Sequence, residues 1–224
     1  MNCNKRDYRG NDYYIHENEY FRQVDTFRFA KLLAHYEIYK KTIGIPGDIV
    51  ECGIFRGKSF FQIANFRDIL ENPYSRKIIG FDIFGMFPPT SFDDDKKLLE
   101  DFISASGGES ISIEDMHLAL KNKNIENYEL IKGDINTTVP DYCDKHPELR
   151  ISFLHIDVDV YEPCVTILEN LYDRVVGGGV IMLDDYPCFP GEEKAVEDFI
   201  RSKNIQLKKT SFSSSPSYLI KPLL

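Results

Sequence analysis

The chain has 224 residues and a formal net charge of −9, from 27 Lys and Arg against 36 Asp and Glu. That length fits one domain with a full hydrophobic core, and the acidic balance argues against nucleic acid and anionic membrane surfaces as partners. No apolar run approaches bilayer-spanning length. Cys3, Cys52, Cys143, Cys164 and Cys188 are odd in number and widely spaced, as expected of reduced thiols in a cytoplasmic protein.

Strands and helices alternate along the chain. Residues 1–45, rich in Tyr, Phe and charge, read as an N-terminal helical extension, with a helix predicted around residues 27–41. Residues 48–53 (DIVECG) are apolar and end in Gly, predicting a buried strand. Residues 58–70 carry apolar side chains at helical spacing, and residues 77–82 (KIIGFD) predict a second buried strand. Residues 84–126 contain PP, DDD and SGG and are long for a crossover. Insertions of this kind commonly cover a site, so a lid is expected there. Its run Asp93, Asp94 and Asp95 is read as a solvated face.

Further strands are predicted at residues 128–133 (YELIKG) and 151–157 (ISFLHID). A helix starts near Pro163, with Val165, Leu168, Tyr172 and Val175 on one face. Gly177, Gly178 and Gly179 end it, and residues 180–184 (VIMLD) form a fifth strand. A helix over residues 194–203 precedes an antiparallel pair at 206–212 and 218–221. The expected fold is α/β: a Rossmann-like, doubly wound, seven-stranded, mostly parallel sheet over residues 46–224, with the lid inserted at about 84–126.

Two features carry chemistry. Glu51-Cys52-Gly53-Ile54-Phe55-Arg56-Gly57-Lys58-Ser59 joins a strand to a helix. Gly53 permits a tight turn, Gly57 permits close backbone approach, and Ser59 lies in the first helical turn, where free N–H groups face a ligand. Asp82 ends the next strand, where an acid can accept from both hydroxyls of a ribose. The closely spaced glycines that a dinucleotide pyrophosphate requires are missing. Glu51 suits a cationic ligand such as S-adenosylmethionine. Asp134, after Gly133, either meets the adenine edge or caps the following helix.

The second feature is Asp157 and Asp159 after one strand and Asp184 and Asp185 after another. If the strands are neighbours, four carboxylates converge, which is costly without a cation. A hard divalent ion such as magnesium is the simple remedy. Asp159 and Asp185 acting only as helix caps is the alternative. A metal that orients two oxygens suits a vicinal diol, hence a sugar or catechol acceptor.

The runs GDIVECGIFRGKSF, FDIFGMFP, LHIDVDVYEPCVTILENLYDRVVGGGVIMLDDY and PGEEKAVEDF resemble the macrocin O-methyltransferase (TylF-like) family over about residues 44–200. The resemblance implies a class I sugar O-methyltransferase, a homodimer dependent on S-adenosylmethionine and magnesium. It assigns Glu51 and Gly53 to the methionine part of the cofactor, Asp82 to the ribose, and Gly133 and Asp134 to the adenine side. It assigns magnesium to Asp157, Asp184 and Asp185, and the general base to Asp159; Asp157 stands in both the cofactor and the metal set.

Two departures fall on the acceptor side. Gly85 follows Phe84 where the family often has Glu, and Tyr186-Pro187-Cys188-Phe189-Pro190 lacks a His common after the D-D-Y run. His155 is read as structural and directed away from Asp157. An NAD(P)-dependent oxidoreductase and a non-catalytic binding module are the competing readings.

Overall fold

The computed structural model describes residues 10–223; Cys3 lies outside them. Two helices, α1 (Gly10–Gln23) and α2 (Thr26–Tyr39), precede the first strand. Asp25 caps α2 by accepting the Arg28 N–H at 2.7 Å. Lys31, Ala34, His35 and Ile38 form its buried stripe, an apolar face interrupted by two basic groups.

The strands are β1 (Asp48–Cys52), β2 (Ile78–Asp82), β3 (Tyr128–Lys132), β4 (Ile151–Ile156), β5 (Val175–Leu183), β6 (Lys208–Lys209) and β7 (Ser217–Ile220). They form one seven-stranded sheet in the order β3-β2-β1-β4-β5-β7-β6. β1 to β5 run parallel, and β7 runs antiparallel to both β5 and β6. The remaining helices are α3 (Lys58–Leu70), α4 (Asp93–Ser106), α5 (Ile113–Asn122), α6 (Ile135–Lys145), α7 (Tyr161–Leu171) and α8 (Pro190–Lys203). The doubly wound, mostly parallel sheet expected from the sequence is the fold.

Alternation along the central strands sorts the core into two layers. Val50, Cys52, Leu154, Ile156, Ile181 and Leu183 face α6, α7 and α8. Ile49, Ile78, Phe153, Val180 and Met182 face α2, α3 and α5. Strand order reverses between β1 and β4, and the carboxyl ends of these two strands open onto a cleft.

Several boundaries differ from expectation. Val175 begins β5 instead of continuing the helical face, because α7 tightens into a 3₁₀ turn at Tyr172–Arg174. The three glycines therefore lie inside the strand. The insertion is not a plain loop: α4 and α5 form within it, burying Leu99, Met116 and Leu120. α8 starts earlier than predicted, at Pro190, a residue suited to a first helical turn.

Candidate active site

The turn after β1 is held by Asp82. Its Oδ2 accepts the N–H groups of Ile54 and Phe55 at 2.8 and 2.9 Å. Its Oδ1 accepts the Phe84 N–H at 2.6 Å and the Ser110 hydroxyl at 2.9 Å. Asp82 thus braces the turn and ties it to the base of the insertion, with its edge still on the cleft. Ser110, a cleft residue beside it, was invisible in the sequence because it lies in an irregular part of the insertion.

Gly53 has φ +88°, and a Cβ there would lie 1.7 Å from the Asp157 carbonyl oxygen. The glycine therefore lets the ends of β1 and β4 touch, and Asp157 N–H donates to the Cys52 carbonyl at 2.9 Å. Gly57 has a different task. It caps α3 at φ +85°, and a Cβ there would meet Phe61 and Met116. Gly133 and Asp134 line the cleft. Asp134 caps α6 through the Asn136 N–H at 2.9 Å, which realises the capping reading.

Glu51 is wholly buried beneath the turn. Its Oε1 accepts the Ser59 hydroxyl and lies 3.2 Å from His155 Nδ1. Strand register explains this pairing, since Glu51 sits opposite His155 and both project onto the α2 face. On its other side His155 reaches toward the carboxylate cluster: its Nε2 lies 3.5 Å from Asp184 Oδ1, an ion-pair distance without a formed hydrogen bond. Burial pulls this histidine down, but the neighbouring carboxylates of Asp184 and Glu51 outweigh it and raise it to about 9.

β4 and β5 are neighbours, so the four aspartates converge. Oxygens of Asp157, Asp184 and Asp185 lie within 4.8 Å of one another. Neither Asp159 nor Asp185 caps a helix; those positions belong to Val160 and Phe189. Asp159 adopts φ +62°, unusual for a non-glycine residue, at the tip of the β4 exit turn. Burial and the neighbouring carboxylates, chiefly Asp184 for Asp157 and Asp185 for Asp159, push both acids well above the usual range. Asp184 lies well below it, because His155, His35 and Lys31 overcome its burial.

Three further groups escaped sequence reasoning. His35 Nε2 is 2.7 Å from Asp184 Oδ1, and Lys31 Nζ is 2.6 Å from Asp184 Oδ2. Both reside in the buried stripe of α2, where basic residues among apolar ones were the available signal. Glu192, in the first turn of α8, is wholly buried and neither carboxylate oxygen has a hydrogen-bond partner. Burial, then Asp185 and Asp159, raise it well above the usual range, which favours its neutral acid.

The cleft encloses about 770 Å³, room for a nucleoside cofactor beside an acceptor. The insertion forms one wall through Phe87, Pro88, Pro89 and Phe102. Phe55, Phe87 and Phe102 contact one another with ring centroids 5.4–5.7 Å apart. Asp95, in the run expected to be solvated, is wholly buried. It accepts the Gly191 N–H at 2.7 Å and the Tyr161 N–H at 3.1 Å, joining α4 to the starts of α8 and α7. Glu162 holds the preceding turn through Ser91 N–H at 2.7 Å and Thr90 Oγ1 at 2.9 Å.

A sheet of this order, with its last strand reversed between two neighbours and a glycine turn at the switch point, is that of the class I methyltransferases. Within that class the chain belongs to the macrocin O-methyltransferase (TylF) family, whose model matches residues 25–215. Mycinamicin III 3''-O-methyltransferase of Micromonospora griseorubida is 26% identical over 165 residues, covering 70% of this chain and 61% of that protein. A tetracenomycin 4'-O-methyltransferase of Streptomyces olivaceus is 29% identical over 147 residues, covering 64% of this chain and 54% of its own length. The chain therefore spans less than two thirds of either relative. The crystal structure of CalS11, calicheamicin methyltransferase, superposes with a TM-score of 0.73 at 25% identity, over 91% of this chain and 83% of that one.

Proposed function

We propose that the chain transfers a methyl group from S-adenosylmethionine to a hydroxyl of a sugar or glycosylated acceptor, with magnesium held by Asp157, Asp184 and Asp185. The observation that carries this reading is the convergence of Asp157, Asp159, Asp184 and Asp185 in the same cleft as the Gly53 turn, which abuts Asp157. The donor set suits a hard cation: its three candidate ligands are carboxylates within 4.8 Å of one another, and burial together with their crowding raises Asp157. When bound, the ion supplies Lewis acidity and orients the acceptor oxygens. The relative from Streptomyces olivaceus, an O-methyltransferase of a rhamnosyl tetracenomycin, supports the acceptor class.

The chain's own residues then do the following. The turn N–H groups and Ser59 border the methionine end, the Asp82–Ser110 edge meets the ribose, and Gly133 and Asp134 flank the adenine. Asp159 accepts the acceptor's hydroxyl proton as the oxygen lone pair forms the O–CH₃ bond. The breaking C–S bond leaves its electron pair on sulfur, giving S-adenosylhomocysteine. A base whose affinity for protons is raised by burial is better matched to an aliphatic hydroxyl than an ordinary aspartate. Residues 84–126, with the described part of the N-terminal extension over residues 10–45, act as the lid that excludes water.

The test is methyl transfer from S-adenosylmethionine to a panel of sugars and nucleotide sugars, read by mass spectrometry. Asp159→Asn should lower turnover at least about 10²-fold while calorimetry still detects cofactor and magnesium. Wild-type turnover in that variant removes Asp159 from the mechanism. Undiminished activity in EDTA removes the metal. Binding of NADH without S-adenosylmethionine overturns the reading as a whole.

A further inference from the structure

Two of the three carboxylates that would hold the ion, Asp184 and Asp185, are already paired. Lys31 Nζ lies 2.6 Å from Asp184 Oδ2 and 3.3 Å from Asp185 Oδ1, with 6% of its side chain exposed. Asp184 Oδ1 is engaged by His35 Nε2 at 2.7 Å and approached by His155 Nε2 at 3.5 Å. Each oxygen of Asp184 thus already faces a basic side chain. Magnesium binds oxygens at about 2.0–2.1 Å, and the space between Asp184 Oδ2 and Asp185 Oδ1 is where the ammonium sits. A divalent cation and an ammonium repel each other too strongly to share one pair of oxygens in a half-buried site.

We propose that Lys31 is an internal counter-ion that neutralises Asp184 and Asp185 in the metal-free protein and is displaced when a divalent ion binds. Because Lys31 and His35 both stand on α2, displacement frees one of two polar anchors between that helix and the exit of β5. Arg28, one turn earlier on α2, lines the same cleft, so a shift of α2 re-forms the wall beside the ion. Ion binding and cleft shape are thereby linked. This inference rests on the metal reading above and adds to it the group that competes with the metal.

Magnesium affinity and thermal stability of the full chain test it, in the wild type, Lys31→Met and Lys58→Met. Lys58 lines the cleft and feels the charges of Asp184 and Asp157, but makes no ion pair among the described residues. Lys31→Met should lose stability without metal, regain it in magnesium chloride, and bind magnesium roughly tenfold more tightly than wild type, because an occupied competing state is removed. Equal affinity in wild type and Lys31→Met overturns the proposal and leaves the metal site standing. Equal tightening in Lys58→Met also overturns it, since removal of any nearby charge would then explain the effect. No magnesium binding by any of the three proteins sinks the metal reading and this inference together. A readout that needs no variant is hydrogen–deuterium exchange in the wild type: magnesium should speed exchange across α2, and unchanged or slower exchange refutes displacement.

Discussion

Gly53 shows how one missing methyl group places two sites. Its φ of +88° and the 1.7 Å approach to the Asp157 carbonyl leave no room for a Cβ, so Gly53→Ala must part β1 from β4. Strain of this kind costs about 3 kcal/mol, or roughly 6–12 °C in melting temperature for a chain of this size. Cofactor and metal binding should fall together in that variant. A melting temperature within a degree of wild type would show that the strand ends do not need this contact. The sequence exposed Gly53 through its place between a strand and a helix. It singled out Gly57 as well, which caps α3 and where a side chain would meet Phe61. Spacing alone could not distinguish them, because both glycines have positive φ and only the surroundings differ.

Among the elements, the insertion is fastened by two carboxylates that receive N–H groups from different segments. Asp95 ties α4 to the first turns of α7 and α8, and Glu162 on α7 grips the turn before α4. Phe92 stacks on Tyr161 with centroids 5.0 Å apart, closing the same seam. Asp95→Ala removes charge-assisted bonds to two helix starts, at a cost of about 2 kcal/mol. Limited proteolysis should then cut first within residues 84–126, and KM for the acceptor should rise more than kcat falls. A digestion pattern like that of wild type would mean that the aromatic contacts alone retain the insertion. Its helices were not read from the sequence because Pro, Gly and acidic runs frame short amphipathic stretches, and a buried Asp within an acidic triplet has no local signature. The central strands β1, β2 and β4, by contrast, are mostly apolar on both faces and bounded by Gly or Asp, so pattern alone located them, as it did the buried second half of β5.

Across the whole molecule, a polar seam crosses the sheet on its α2 face: Glu51 on β1, His155 on β4, Asp184 at the end of β5, and His35 and Lys31 on α2. Single polar residues in otherwise apolar strands and in the buried stripe of α2 were its trace in the sequence. The seam gives the metal-free protein a pH response with a definite sign. His155 is raised to about 9 from an unfolded value near 6.5. Its charge therefore stabilises the fold fully below about pH 6.5, and the contribution fades as pH rises through 9. His35, whose ring lies 5.5 Å from His155, is lowered by burial and stays neutral at and above neutral pH, so it does not offset this trend. Melting temperature measured without metal should drop between about pH 7 and 9.5 in the wild type and drop less in His155→Gln. Parallel curves for the two proteins would assign the alkaline loss to other groups.

The hydrogen bond from Asp157 N–H to the Cys52 carbonyl, and its counterpart from Asp184 N–H to the Ile156 carbonyl, fasten three strand ends side by side. On the proposed chemistry, sulfur and receiving oxygen are both registered against this backbone edge, and neither depends on the insertion for its position. Rewriting the helices of residues 84–126 would then alter which molecule is admitted while leaving the span of the methyl jump untouched, so new preferences can be grafted onto an unchanged reaction.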